Sequence, residues 1–373
     1  MASTGGTRWD EAIARMRARI DHTATAVRDG FPHYAEPAAG LWTVTPHGDW
    51  TGGYWNGMLW LTAAASGEER YATLAADWTE RLRPRIDSQT SARGLLFYYG
   101  AALGSILTGH AAAREIGIAA ARSLAAGYNP RAEVIPMGAE FEEVHSVGLG
   151  ESEVDVVQIA ALLGWAARET GDARLREIGA RHARRHIEFC MRSDGSICQS
   201  ASFDPATGKM TRRYTHKGIN DSSTWARAQA WGILGWALAA QWTGDMTLLE
   251  PAERAAHWWN AHVPPDRVAY WDFDDPAIPH TNRDTSATAI AAAGMLKLAE
   301  LATGEVRRYA FREAAESAVE ALVENFLGKE GGLWQGCYNK RIELATAHEL
   351  IWGTYYLYES LHVLAGHIDP TRL

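Results

Sequence analysis

The feature that most restricts the fold is a recurring piece of punctuation. Ser66-Gly67-Glu68, Thr170-Gly171-Asp172, Thr243-Gly244-Asp245 and Thr303-Gly304-Glu305 each follow an apolar helical run and precede an amphipathic one rich in alanine. Glycine stops a helix because it reaches the left-handed conformation without a Cβ clash, and an acidic residue suits the partly positive start of the next helix. The pattern predicts a weak repeat of helix pairs. Apolar periodicity places twelve helices near 9–27, 54–66, 69–83, 95–109, 111–127, 152–169, 173–191, 223–242, 247–262, 284–302, 306–327 and 346–365. Long segments at 28–53, 128–151, 192–222, 263–283 and 328–345, and a shorter one at 84–94, each follow the second helix of a pair, so all emerge at one end. Six such hairpins predict an all-α (α/α)6 barrel, a six-hairpin toroid filling 1–373 as a single domain, with its cleft on the loop side. Strand-like pieces at 196–203 and 268–273 fit hairpins on that rim.

Composition narrows the function. A net charge of −9 argues against nucleic acid or an anionic membrane as a partner. No apolar run approaches the length of a spanning helix, and the opening MASTGGTRWDEAIARM has no apolar stretch of export-signal length. Cys190, Cys198 and Cys337 are scattered, without metal or disulfide spacing, which predicts a reducing, cytoplasmic setting. Sixteen tryptophans suggest stacking surfaces, although a large aromatic core would use them equally well. There is no nucleophile elbow, phosphate loop or zinc motif, so neither a cofactor nor a metal is expected. His182 and His186 stand at ligand spacing but among Arg181, Arg184 and Arg185, which reads as a solvated face.

The toroid restricts candidate site residues to the loops and the helix starts after them. Thr215 to Trp236, THKGINDSSTWARAQAWGILGW, is the richest stretch. Its polar first half ends in Ser222 and Ser223, either of which suits an N-cap. Trp225, Arg227 and Gln229 would then open the helix and offer a flat ring, a fixed cation and an amide, a set suited to a sugar acid. The same pattern fits a buried aromatic helix with a surface arginine. The filter also selects His47, Asp49 and Trp50, Glu151, Glu153 and Asp155, Arg283 and Asp284, and Trp334, Lys340 and Arg341. Asp155 lies among Val154, Val156 and Val157. Desolvation there would raise its pKa and suit a general acid, whereas a helix N-terminus would favour the charged form and a capping role.

At this level the motifs resemble those of the unsaturated glucuronyl hydrolases, glycoside hydrolase family 88, and more distantly the family 105 unsaturated rhamnogalacturonyl hydrolases. The matching pieces are DWTGGYWNGMLWL at 49–61, the segment around Asp155, FDPATGK at 203–209, THKGINDSSTWARAQAWGILG at 215–235, YWDFDDP at 270–276 and NRDTSATAI at 282–290. The resemblance implies an (α/α)6 barrel that cleaves a 4,5-unsaturated uronic acid from the non-reducing end of lyase-generated oligosaccharides. In that chemistry an Asp protonates C4 of the vinyl ether, water adds at C5, and the hemiketal opens with loss of the aglycone. Asp155 resembles the family's acid and would act first as donor and then as base. His216, Trp225, Arg227 and Gln229 match the substrate-site motif, and Trp50 resembles an aromatic at the cleft mouth.

Three positions depart from the family pattern. Ala92 or Arg93 stands where a second essential Asp belongs, in TSARGLLFYY. Gln199 replaces a histidine and Lys217 a glutamine. Arg93, Gln199 and Lys217 are therefore counted with the substrate-binding residues, and Asp87 or a Glu of 151–153 is a candidate replacement acid. The leading expectation is a hydrolase of unsaturated uronides acting on an oligosaccharide as a monomer or homodimer. The alternatives are a relative that works on another uronic-acid derivative and a carbohydrate-binding pseudoenzyme. A sugar 2-epimerase of the same barrel type is disfavoured, because the loop end lacks a clear pair of inward histidines.

Overall fold

A computed structural model describes residues 7–141 and 149–373. Its helices are α1 (Asp10–Ala26), α2 (Gly52–Ser66), α3 (Glu69–Leu82), α4 (Arg93–Phe97), α5 (Leu103–Thr108), α6 (Ala111–Ala126), α7 (Ile159–Thr170), α8 (Ala173–Cys190), α9 (Ala226–Thr243), α10 (Leu249–His262), α11 (Thr285–Leu301), α12 (Glu305–Asn325) and α13 (Ile351–Leu364). A π turn at Tyr98–Ala102 joins α4 to α5, so these two act as one barrel helix and the described residues hold twelve.

The helices alternate in character because they alternate in position. Almost every residue of α2, α9, α11 and α13 is buried, whereas α3 and α8 bury one stripe only. The buried helices form an inner ring. α2 packs on α4–α5, α4 on α7, α7 on α9, α9 on α11, α11 on α13, and α13 returns to α2. The amphipathic helices α1, α3, α6, α8, α10 and α12 cover this ring from outside. Glycines allow its tight crossings. A Cβ on Gly53 would stand 2.5 Å from the Leu96 carbonyl oxygen, and one on Gly294 would stand 2.9 Å from the Leu234 backbone nitrogen.

The short connections match the punctuation of the sequence. Gly67, Gly171 and Gly244 are left-handed C-caps, and Asp172 accepts the Arg174 N–H to open α8. The fourth repeat differs: α11 closes on Ala302 in extended backbone, and Gly304 precedes α12. The long connections all lie at the other end, with the N-termini of the inner helices, and they carry two small sheets. One is ordered β2 (Trp42–Thr45), β1 (Phe31–Ala35), β6 (Glu349–Leu350); the other is β3 (Glu151–Glu153), β4 (Ser200–Phe203), β5 (Met210–Tyr214). The strand expected at 196–203 is thus shorter, and 268–273 forms only isolated bridges, Tyr270 to Arg283 and Asp272 to Trp225. Among the described residues no helix is long and apolar enough to cross a membrane.

His182 and His186 correct the expectation of a solvated face, since α8 turns both into the core. His182 Nδ1 accepts the Ile135 N–H at 3.1 Å, so Nε2 carries the proton and donates to the Val156 carbonyl at 3.0 Å. His186 donates from Nδ1 to the His182 carbonyl at 2.7 Å and accepts the Ser152 hydroxyl at 2.7 Å. Burial holds His182 well below the usual range and takes His186 down to about 4. Above pH 6.5 both are neutral whether the chain is folded or not. Below it the unfolded chain binds protons that the folded chain refuses, so stability falls as pH drops from 6.5 toward about 4. The slope is about 1.4 kcal/mol per pH unit for each histidine. Urea unfolding of His186→Gln should therefore be flatter with pH over this window than that of the parent, and identical slopes would contradict the assignment.

Candidate active site

The loop end gathers an aromatic enclosure. Trp50 stands just before α2, anchored through Thr51, whose hydroxyl lies 2.8 Å from His33 Nδ1 on β1. Its ring lies 4.7 Å from Trp352, 6.3 Å from Tyr54 and 6.5 Å from Tyr338. Trp225 is the residue before α9, with extended backbone. Lys217 reaches into this group, its Nζ lying 4.7 Å from the Tyr338 ring centre, 5.5 Å from Trp225 and 5.6 Å from Trp50. Rings flank the ammonium with their electron-rich faces, a setting that holds a cation while shedding its water.

Asp155 stands beside this enclosure. It lies in a 3-10 turn, Val154–Val156, between β3 and α7, rather than in the helix that the sequence suggested from 152. Its charge adds to the burial that raises the Tyr54 pKa. The turn is gripped from two sides. His182 of the outer ring holds the Val156 carbonyl. From the barrel axis, Gln158 Nε2 donates to the Asp155 carbonyl at 3.0 Å, while its Oε1 accepts the hydroxyls of Tyr99 at 2.6 Å and Tyr356 at 3.1 Å. Burial keeps both tyrosines protonated, so they act as fixed donors. Gln158→Leu should loosen the carboxylate and remove the acceptor shared by two hydroxyls that otherwise have each other at 2.6 Å, lowering turnover by up to about 100-fold and stability by about 1–3 kcal/mol. Steady-state kinetics and urea titration check this, and unchanged turnover would show that Asp155 is held by other means.

The stretch 215–225 is shaped by side chains from far along the chain. Asp272 accepts the Ile219 N–H at 2.9 Å and the Ser223 hydroxyl at 2.7 Å. Ser222 and Ser223 therefore do not cap α9; the Ser222 hydroxyl donates to Asn220 at 2.6 Å. Gln199 on the opposite side accepts three donors at Oε1: the Thr215 hydroxyl at 2.7 Å and the backbone N–H groups of His216 and Lys217 at 3.2 Å each. It fixes the loop that presents both side chains.

Three residues read as ligand contacts are used otherwise. Arg227 is buried, pairs with Asp284 at 2.5 Å and donates to the backbone carbonyls of Cys337 and Tyr338. It carries the Trp225 ring 4.4 Å from its guanidinium and anchors the Tyr338 loop, so it builds the enclosure rather than facing a carboxylate. Gln229 is fully buried and engages backbone on three sides, the Ile197 N–H and the Gly195 and Ala255 carbonyls. Arg93 turns to the outer ring, donating to Ile86 O at 3.0 Å and to the hydroxyl and carbonyl of Ser123. Arg283 pairs with Asp266 at 2.6 Å. Conversely, Tyr338, His33, Tyr54 and Trp352 line the group without having been singled out. Tyr338 lies on a loop that the toroid filter had marked through Trp334, Lys340 and Arg341.

Fold and site define the class: an (α/α)6 toroid whose loop end holds an aromatic enclosure beside a carboxyl. The chain is 33% identical over 363 residues to the unsaturated glucuronyl hydrolase of Bacillus sp. (strain GL1), covering 95% of this chain and 96% of that one. The crystal structure of the unsaturated glucuronyl hydrolase from Bacillus sp. GL1 matches with a TM-score of 0.90 over the same shares. An unsaturated chondroitin disaccharide hydrolase of Streptococcus pyogenes serotype M1 is 28% identical over 362 residues, 94% of this chain and 89% of the relative. A solved structure described with dGlcA-Glc-Rha-Glc also matches at 33% identity and a TM-score of 0.90, over 95% of this chain and 96% of that one. No family model matches. The chain belongs to the unsaturated glucuronyl hydrolase family.

Proposed function

We propose that this protein is a glycoside hydrolase that releases a 4,5-unsaturated uronic acid from the non-reducing end of oligosaccharides left by polysaccharide lyases. The observation that carries the reading is Asp155, pinned in a turn beside an aromatic enclosure at the loop end. Trp50, Trp225 and Tyr338 supply faces for a sugar ring, and Lys217 supplies the cation for its carboxylate. Asp155 protonates C4 of the vinyl ether, and positive charge develops at C5 and the ring oxygen. Water adds at C5, the hemiketal opens, and the aglycone departs from C1. The bond between C1 and the aglycone is not attacked directly, so the carboxylate spacing that separates retaining from inverting glycosidases does not govern the outcome. The free, buried cysteines Cys190, Cys198 and Cys337 suit a reducing compartment and support cytoplasmic work on imported disaccharides. Reaction in heavy-oxygen water with unsaturated glucuronyl disaccharides tests the route. Label at the C5 carbonyl of the product is expected, whereas label confined to C1 would indicate ordinary glycoside hydrolysis.

A further inference from the structure

The sheet β3–β4–β5 is joined to the site at both edges. β3 runs into the turn that carries Asp155, and β5 into the stretch that carries His216 and Lys217. Its register sorts the side chains. Ser152 pairs with Ala201, and Ala201 with Arg213. This row points to the outer ring, where the Ser152 hydroxyl meets His186 and Arg213 donates to the Glu188 carbonyl at 2.6 Å. Neighbouring residues of a strand alternate between faces, so the rows on either side point the other way. One row is Glu153, Ser200 and Tyr214; the other is Glu151, Ser202 and Arg212. This second face is polar throughout.

The two rows differ in depth. Glu153, Ser200 and Tyr214 are buried near the His216 ring, which lies 6.4 Å from the Tyr214 ring. Glu151 and Ser202 are half-buried, and Arg212 is exposed. The face therefore leads from the reacting end out to solvent in a step of two residues, about 7 Å, comparable with the length of one sugar unit. In the outer row Glu151 is committed, accepting the hydroxyls of Tyr214 at 2.9 Å and Ser202 at 3.3 Å. Arg212 lays its guanidinium 4.4 Å from the centre of the Tyr214 ring. Among the described residues it has neither an ion pair nor a hydrogen bond. Neighbouring arginines are spent on structure: Arg213 on the Glu188 carbonyl, Arg185 on the Glu188 carboxylate and Arg192 on the Ser223 carbonyl. A stacked guanidinium is held in direction while the N–H groups in its plane remain available to a partner.

Resting on the hydrolase reading, we propose that the sugar linked to C1 of the uronide lies on the outer row of this sheet, and that Arg212 reads an anionic substituent on it, a sulfate ester or a carboxylate. The carboxylate of the uronide itself is assigned to Lys217 in the enclosure, so a second fixed cation one sugar length further out serves a second charge. The paired donors of a guanidinium match the oxygens of either group. Glu151, at the β3 end of the row, disfavours an anion there and confines the charge to the β5 side. Arg212 acts on the choice of substrate and takes no part in proton transfer.

The test uses three unsaturated glucuronyl disaccharides: one with a neutral hexose as aglycone, one with the sulfate ester of that hexose, and one with a hexuronic acid. For each, kcat/KM is measured in the full-length parent, Arg212→Gln, Arg212→Lys and Arg212→Glu. Equilibrium binding is measured by calorimetry in the Asp155→Asn background with and without Arg212→Gln. The parent should favour at least one anionic aglycone over the neutral one by about fivefold, the scale of an exposed ion pair, and the favoured one identifies the substituent. The preference should vanish in Arg212→Gln, persist in part in Arg212→Lys and reverse in Arg212→Glu, while the neutral disaccharide keeps its kcat/KM throughout. It should also fade in about 1 M salt, where the screening length is about 3 Å. A merely structural role would lower all three disaccharides together. The inference is overturned by that result, by a parent that does not distinguish the aglycones, or by a preference that survives Arg212→Gln. If no disaccharide is turned over, the hydrolase reading itself fails. The binding constants then decide the subsite alone: tighter binding of an anionic aglycone that Arg212→Gln abolishes supports it, and equal binding overturns it.

Discussion

Asp155→Asn is expected to lower turnover by about two to four orders of magnitude with little change in substrate binding. The amide keeps the shape of the carboxyl and can still hydrogen-bond, so the turn held by Gln158 and His182 stays in place. What it lacks is a proton to give to C4. Loss confined to kcat would show an interaction made in the transition state; a rise in KM with kcat kept would show a residue that only binds. Ala92→Asp adds a companion test. If it raises activity on ordinary unsaturated glucuronides, the natural site is a redirected version of the family's. If it lowers activity, the surroundings have been rebuilt around Ala92, which has no exposed surface.

Arg227→Ala is expected to act on the fold before it acts on the sugar. Removing the guanidinium leaves Asp284 buried with its Oδ2 facing an empty space, and it frees the loop carbonyls of Cys337 and Tyr338. Breaking a buried ion pair on one side costs about 3–5 kcal/mol, far more than an exposed pair contributes. Asp284 also caps α11 through the Ser286 N–H at 3.1 Å and the Ser286 hydroxyl at 2.6 Å, so the damage would reach an inner helix. Urea unfolding should report the loss directly. A variant of parental stability that merely binds acidic sugars less well would return Arg227 to the role of carboxylate ligand.

These two residues show what could be read from the sequence and what could not. The ring of twelve helices was legible because each inner helix is apolar all round and each outer one is striped, a contrast that periodicity records. The starts of α7, α9 and α13 were placed too early, because the residues before them had other partners: Glu151–Glu153 pairs with β4, Asp272 takes the Ser223 hydroxyl, and Glu349–Leu350 pairs with β1. Asp155 and Trp50 were singled out because both precede an inner helix at the loop end. Arg227 and Gln229 were misread for the same reason. Both lie in the first turns of α9, but their partners, Asp284, the Cys337 carbonyl and the Gly195 carbonyl, come from loops far along the chain and leave no local trace. Tyr338 lies on an irregular segment, where no period marks which side chain faces the cleft, and His33 lies on β1, a strand too short for alternation to mark its faces.

The central claim is that this chain adds water to the double bond of an unsaturated uronide. Continuous measurement of the vinyl-ether absorbance during incubation with lyase-derived unsaturated disaccharides tests it most directly. The account predicts steady loss of the band, matched by release of one aglycone for each sugar consumed, and near-complete loss of that rate in Asp155→Asn. A band that persists with every unsaturated disaccharide while the protein binds them, or a parental rate in Asp155→Asn, would contradict it.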